Sequence, residues 1–230
     1  MRIRNEKNQE FIDHGGVLLI SSPVISDKIQ RHIEEQTYEG SEIRFALAHA
    51  EPEDVILELG AGIGALSSHV LKKIPVKRYI CVEANPQMVQ LMKKNHAMND
   101  ICDCEIISGV LTNNPEETEF DFYVRDNFFA SSLRKPAQYV SVQRVRGHVF
   151  GDLLRDAQPS FIICDIEGGE YDLFVNGVDL SSVQKICIEI HKADDRQLVD
   201  LYAYFVDGGF YLVNPPLSAG VRYFARGRAA

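Results

Sequence analysis

From Asp54 onward, short apolar runs rich in β-branched and aromatic residues alternate with stretches of helical period. That alternation predicts a parallel sheet covered by helices on both faces, an α/β domain. The strand candidates are 55–59, 79–83, 104–108, 119–124, 161–165, 185–190, 210–213 and 222–224, with 119–124 reading as an addition to the regular series. Helical stretches fall at 65–73, 86–96 and 194–205. Gly208-Gly209 and Asn214-Pro215-Pro216-Leu217 are turn signals with no helix between the last two strands, so the sheet is expected to end in an antiparallel hairpin. Residues 1–53 read as an N-terminal extension of strands or loops with helical stretches near 26–35 and 41–50, packed as a small helical cap beside the cofactor on a main domain of 54–230.

The chain has 230 residues, 45% of them hydrophobic, enough to bury a substantial core. It has no run of 18 apolar residues and no signal-peptide-like start, so a cytoplasmic protein with no membrane partner is expected. A formal net charge of -9 argues against a surface built to hold phosphates, and the expected partner is a small molecule, with no nucleic acid. Arg125, Arg134, Lys135, Arg144 and Arg146 read either as a local basic patch or as scattered cations on a solvated loop, with the loop the more ordinary reading. Five cysteines, an odd number lying mostly in apolar runs, fit reduced thiols, and Cys102-Asp103-Cys104 lacks the second pair that a zinc site needs.

Gly60-Ala61-Gly62-Ile63-Gly64 follows one apolar strand and opens a helix, where glycines allow a sharp turn and close approach to a ligand. With Ala65 in the last place, the loop also fits a dinucleotide fingerprint, so a nicotinamide-dependent oxidoreductase is the rival reading. Glu58 weighs against a pyrophosphate and suits S-adenosylmethionine, whose sulfonium and ammonium are cationic. Glu83 closes the next strand, where a carboxylate accepts both ribose hydroxyls; both cofactor types use that contact. Ala84 and Asn85 follow it, and Ser108-Gly109-Val110 is where an adenine is expected. A mainly parallel seven-stranded sheet with a closing hairpin is also the Rossmann-like class I methyltransferase arrangement.

The run from Ser160 to Glu170 places Asp165, Glu167 and Glu170 directly after another apolar strand, at the edge where open α/β sheets bind ligands. The next strand ends in Glu189-Ile190-His191. Glu167 and Glu170 also suit the first turn of the following helix, where acids are favoured without any function. Asp165, Glu167 and His191 are the candidate catalytic residues, with Asp165 also beside the cofactor and Asp165 or His191 as the base that takes an acceptor's proton. Asp165, Glu167, Glu189 and His191 could instead hold a divalent cation such as Mg2+. Tyr38, Ser131 and Ser132 are the candidate substrate contacts.

These pieces together resemble the FkbM family of methyltransferases: Tyr38-Glu39, the loop from Glu58 to Gly64, Val82 to Pro86, Ser131-Ser132-Leu133, Asp165 to Glu170, and Glu189-Ile190-His191. The resemblance spans residues 38–191 and implies S-adenosylmethionine-dependent methylation of an oxygen, usually a hydroxyl of a sugar or secondary metabolite. Two departures are Ile163, where many members carry lysine, and Glu58, where aspartate is common. A catalytically silent ligand-binding protein on the same fold is the remaining alternative.

Overall fold

The computed structural model describes residues 2–4, 10–125, 137–191, 193–213 and 220–227. The extension begins with strands β1 (Arg2–Arg4), β2 (Glu10–His14) and β3 (Val17–Ile20), an antiparallel sheet turned by Gly15 and Gly16. Helices α1 (Asp27–Glu34) and α2 (Gly40–His49) follow, close to the two predicted stretches. The helical cap is thus corrected to a sheet plus two helices. Its apolar face, with Phe11, Ile12, Leu19 and Ile33, packs on Ile63, Ala65, Met88 and Leu91 of the main domain.

The main domain continues through β4 (Val55–Leu59), α3 (Ala65–Lys73), β5 (Arg78–Glu83), α4 (Pro86–Met98), β6 (Cys104–Ser108), β7 (Val110–Thr112), β8 (Glu119–Val124), β9 (Ser141–Val149), α5 (Phe150–Ala157), β10 (Phe161–Cys164), α6 (Glu170–Phe174), β11 (Lys185–Glu189), α7 (Asp195–Asp207), β12 (Phe210–Leu212) and β13 (Val221–Arg226). Seven strands form one sheet in the order β12-β13-β11-β10-β4-β5-β6, with β13 antiparallel to both neighbours and the other adjacent pairs parallel. The predicted parallel sheet with a closing hairpin is what forms.

The central strands read as unbroken apolar runs because both faces are covered. Leu57, Ile80, Ile162 and Ile186 turn toward Phe150, Leu154, Phe174 and Phe205 on α5, α6 and α7. Ile56, Tyr79, Phe161 and Cys187 turn the other way, against α2 and α3. With side chains absorbed on both faces, the strands' carboxyl ends are the positions left for polar residues.

The segment read as a solvated loop with scattered cations is partly β9, which pairs antiparallel with β8 and parallel with β7 in a separate three-stranded sheet. Charge pairing across the ladder explains the strand: Arg144 bonds Asp121 and Glu119 at 3.0 Å each, and opposite charges on facing strands favour that register. Among the described residues no helix is long and apolar enough to cross a membrane.

Candidate active site

The loop after β4 reaches the sheet edge because its first glycine leaves no side chain in the way. Gly60 adopts φ +84°, and a Cβ there would overlap the Asp165 carbonyl at the end of β10. Gly64 serves a different purpose: at φ +74° it lets α3 and α4 close up, and a Cβ would overlap Met92. Glu83, at the end of β5, fastens the loop, its Oε2 accepting the Gly62 N–H at 2.8 Å and its Oε1 the Asn85 N–H at 2.6 Å. Burial pushes the Glu83 carboxyl up to about 7, against the pull of those amides.

A cavity of about 800 Å³ opens beyond these strand ends. Of the expected site residues, Gly60, Gly62, Glu83, Ala84, Asn85, Gly109, Val110, Asp165, Glu167 and His191 line it. Ala61, Gly64 and Ser108 do not; Ser108 is exposed and its carbonyl faces a ring nitrogen of His148 at 3.2 Å. Ser131 and Ser132 lie outside the described residues. The far end of the cavity is walled by Asn113, Asn114, Phe120, Phe122, Tyr171, Asn176 and Gln197, a mixture of amides and aromatic faces suited to a polar, planar or ring-shaped guest.

Glu58 is not part of that wall. It points into the core, where its Oε2 accepts the Tyr79 hydroxyl at 2.8 Å, and burial pushes its carboxyl up to about 8. The acid that faces the glycine loop is Glu39, the residue preceding α2, held at φ 48°. Its Oε2 accepts the Leu66 N–H at 3.1 Å, and its Oε1 lies 3.6 Å from where a Cβ on Gly62 would be. Tyr38 is buried with its hydroxyl against the same glycine, placing it behind the loop and not in the far lobe with the expected acceptor.

The acids after β10 and the histidine after β11 converge. His191 Nδ1 bonds Glu170 Oε1 at 3.0 Å and lies 3.7 Å from Asp165 Oδ1; its Nε2 lies 3.9 Å from Glu167 Oε2 and 3.7 Å from Glu189 Oε1. Glu170 is therefore more than a helix-start acid: it is 1% exposed and also accepts the Gly168 N–H. Glu167 sits at φ 59°, a left-handed conformation that costs free energy in a non-glycine residue and concentrates at functional sites. The Glu170 hydrogen bond and the surrounding carboxylates push the His191 imidazole up, and burial followed by Glu189 pushes Asp165 up. Such close groups titrate as one unit. Asp165, Glu167 and His191 can each direct one ligand atom at a common point, all within 4.8 Å of one another, whereas Glu189 is not among that trio. Asp165 Oδ1 is buried with no hydrogen-bond partner among the described residues, so the donor set fits a hard divalent cation as well as an incoming hydroxyl.

Residues 35–135 match the family model described as Methyltransferase small domain. A curated relative from Methanosarcina barkeri, "Probable ribosomal RNA small subunit methyltransferase A", is 38% identical over 64 residues, 28% of this chain and only 21% of the relative's own length. Among solved structures, M. jannaschii TYW2 in complex with AdoMet superposes with a TM-score of 0.53 at 14% identity, covering 97% of this chain and 89% of that one. Streptococcus pneumoniae Sp1610, "a putative tRNA (m1A22) methyltransferase" in complex with S-adenosyl-L-methionine, gives 0.51 at 14% identity over 83% of this chain and 74% of that one. Precorrin-6y C5,15-methyltransferase from Geobacter metallireducens gives 0.51 at 12% identity, with 88% and 93% covered. The chain has the Rossmann-like methyltransferase fold. The expectation that nucleic acid plays no part is overturned by these relatives, which include enzymes named for ribosomal and transfer RNA. Net charge carries little weight on this point because it sums the whole surface, while an RNA-directed enzyme needs only a local patch.

Proposed function

We propose that this protein is an S-adenosylmethionine-dependent methyltransferase. The observation that carries the reading is the carboxyl-rich cavity wall: Glu39, Glu83, Glu117, Asp165, Glu167, Glu170 and Asp172 line it, with no lysine or arginine among the described lining residues, and although burial holds protons on Glu39, Glu83 and Asp165, a bound cation favours their release. A sulfonium and an ammonium are attracted there, whereas the pyrophosphate of a nicotinamide cofactor is repelled. Glu83 receives the ribose hydroxyls, Gly109 and Val110 border the adenine, and Glu39 replaces Glu58 as the acid for the methionine ammonium. Asp165 and His191, oriented by Glu170, take the acceptor's proton as one unit while the loop aligns oxygen, methyl carbon and sulfur for in-line transfer. An oxygen acceptor follows from this proton-accepting pair and from the FkbM-like strand ends at Asp165–Glu170 and Glu189–His191. Asp165, Glu167 and His191 would hold a divalent cation, which would supply Lewis-acid activation of an acceptor hydroxyl.

A second reading, methylation of an RNA, is favoured by the RNA-directed names among the relatives and by the far lobe, where Phe120, Phe122 and Tyr171 could stack on a base. Calorimetry tests the cofactor: S-adenosylmethionine and S-adenosylhomocysteine should bind and NAD should not, and Glu83→Ala should weaken both by about tenfold or more, the loss of a charge-assisted contact. Binding of NAD with an affinity equal to that of S-adenosylmethionine sinks the proposal. Labelled methyl transfer to a panel of hydroxylated small molecules and to structured RNA then separates the two acceptor classes.

A further inference from the structure

Two cysteines on neighbouring parallel strands meet away from the acidic cavity, which neither of them lines. Cys81 lies in β5 and Cys104 opens β6, and their Sγ atoms are 3.5 Å apart, a thiol–thiol hydrogen bond. The pair is asymmetric. Cys81 is fully buried, whereas Cys104 is partly exposed. Behind the Cys81 thiol lies the Glu58 carboxyl, whose Oε2 is 3.5 Å from it and accepts the Tyr79 hydroxyl. On the other flank the His96 ring bonds the Cys104 sulfur, and its Nε2 is held by Ser67 Oγ at 2.9 Å.

These surroundings give two residues of one type different chemistry. The hydrogen bond from Cys81 draws Cys104 down toward the thiolate, and the His96 ring adds to that pull against the opposing effect of burial. Burial, and then the same bond, push Cys81 the other way, so it keeps its proton. The thiolate is the form that attacks electrophiles, and here it belongs to the thiol that solvent reaches. A bond between the sulfurs needs them to close from 3.5 Å to about 2.05 Å. Cys104 pairs with Tyr79 in the strand register, so the sulfurs meet diagonally and closure draws the start of β6 along the ladder. That start is free to follow, because residues 101–103 before it belong to no helix or strand.

We propose that Cys104 is a site of oxidation by hydrogen peroxide and that Cys81 resolves the product into a disulfide. In the first step the Cys104 sulfur attacks one peroxide oxygen; an S–O bond forms, the O–O bond breaks, and the leaving hydroxide takes a proton from solvent. Cys104 is thereby oxidised to a sulfenic acid while the peroxide is reduced. In the second step the Cys81 sulfur attacks that of Cys104; the S–S bond forms, the S–O bond breaks, and the leaving hydroxide takes the Cys81 proton. Two thiols and one peroxide give one disulfide and two waters. Neither step involves the cofactor or the methyl acceptor.

Cys102, exposed and two residues away, is the internal comparison. The full chain is treated with hydrogen peroxide at pH 6, where an ordinary thiol is almost wholly protonated, and then alkylated and mapped by peptide mass spectrometry. Cys104 should be oxidised about fivefold or more faster than Cys102, because thiolate fraction outweighs exposure. The product should be a Cys81–Cys104 disulfide that dithiothreitol reverses, formed equally in Cys102→Ser and absent from Cys104→Ser. In Cys81→Ala, oxidation should be slower and should stop at a Cys104 sulfenic acid that dimedone captures. Cys102 oxidised as fast as Cys104 overturns the proposal. So does a Cys104 disulfide to Cys102 or to a second chain in place of Cys81, or a Cys104 sulfenic acid that persists in the wild type.

Discussion

Burial pushes up the carboxyls of Glu83 and Asp165 in the site and of Glu58 behind it, and Glu58 gives the clearest test. In the unfolded chain its proton leaves near 4.5, in the folded protein near about 8. Between those values the native state holds a proton that the unfolded state has lost. Its contribution to stability is therefore complete below pH 4.5, falls as pH rises toward 8, and is flat above that. Glu58→Gln keeps an acceptor for the Tyr79 hydroxyl and removes the titration. The variant should match the wild type at about pH 4 and exceed it at pH 8 by about 1–3 kcal/mol in urea unfolding; parallel stability curves contradict this. The Glu170–His191 bond makes a second prediction. Glu170→Gln should lower the His191 pKa in an NMR titration and slow methyl transfer while leaving S-adenosylmethionine affinity within about twofold, because Glu170 acts through His191. An unmoved His191 titration rules out the positioning role. Asp165 and His191 were readable as polar residues ending buried strands, whereas Glu167 could equally have been an acid opening the following helix. Glu39 was not given a role, because an acid before a helix is common and only the fold sets it against Gly62, 23 positions on in the chain.

At the scale of elements, the strands that the sequence displays plainly are those buried on both faces, since an unbroken run such as Phe161–Cys164 has no other comfortable place. β9 was hidden because only Val145 along it is buried in the strand proper while Arg144 and Arg146 face solvent, so alternation was masked by charge. In the extension, read only as strands or loops before its helices, β3 pairs with β2 on one edge and with polar side chains of a distant helix on the other. Asn95 Oδ1 accepts the Ile20 N–H at 2.9 Å and its Nδ2 donates to the Ile63 carbonyl at 2.8 Å, while Asn99 brackets Leu18 in the same way. Asn95 is thus a clasp between the extension and the glycine loop. Asn95→Ala leaves a buried N–H and a buried carbonyl unmatched, at about 1–3 kcal/mol each. Hydrogen exchange at Leu18 to Ser21 should accelerate far more than exchange in β4 or β10. Uniform acceleration across the sheet contradicts the clasp.

Across the whole molecule, a net charge of -9 goes with a cavity whose described lining carries carboxyl groups and no lysine or arginine. This bias favours a cationic ligand before any contact forms. S-adenosylmethionine carries a sulfonium, an ammonium and a carboxylate, net +1, while S-adenosylhomocysteine lacks the sulfonium charge and is net neutral. The acid-lined cavity draws in the first by its net charge and the second only by local contacts. Because the Debye length shrinks from about 10 Å at 0.1 M to about 3 Å at 1 M salt, that long-range attraction is screened while short hydrogen bonds to Glu83 survive. The association rate of S-adenosylmethionine, measured by stopped flow, should therefore fall by about threefold or more over this range, and that of S-adenosylhomocysteine should stay nearly constant. Equal salt sensitivity of the two ligands contradicts steering by the cavity and leaves the acids with local roles only.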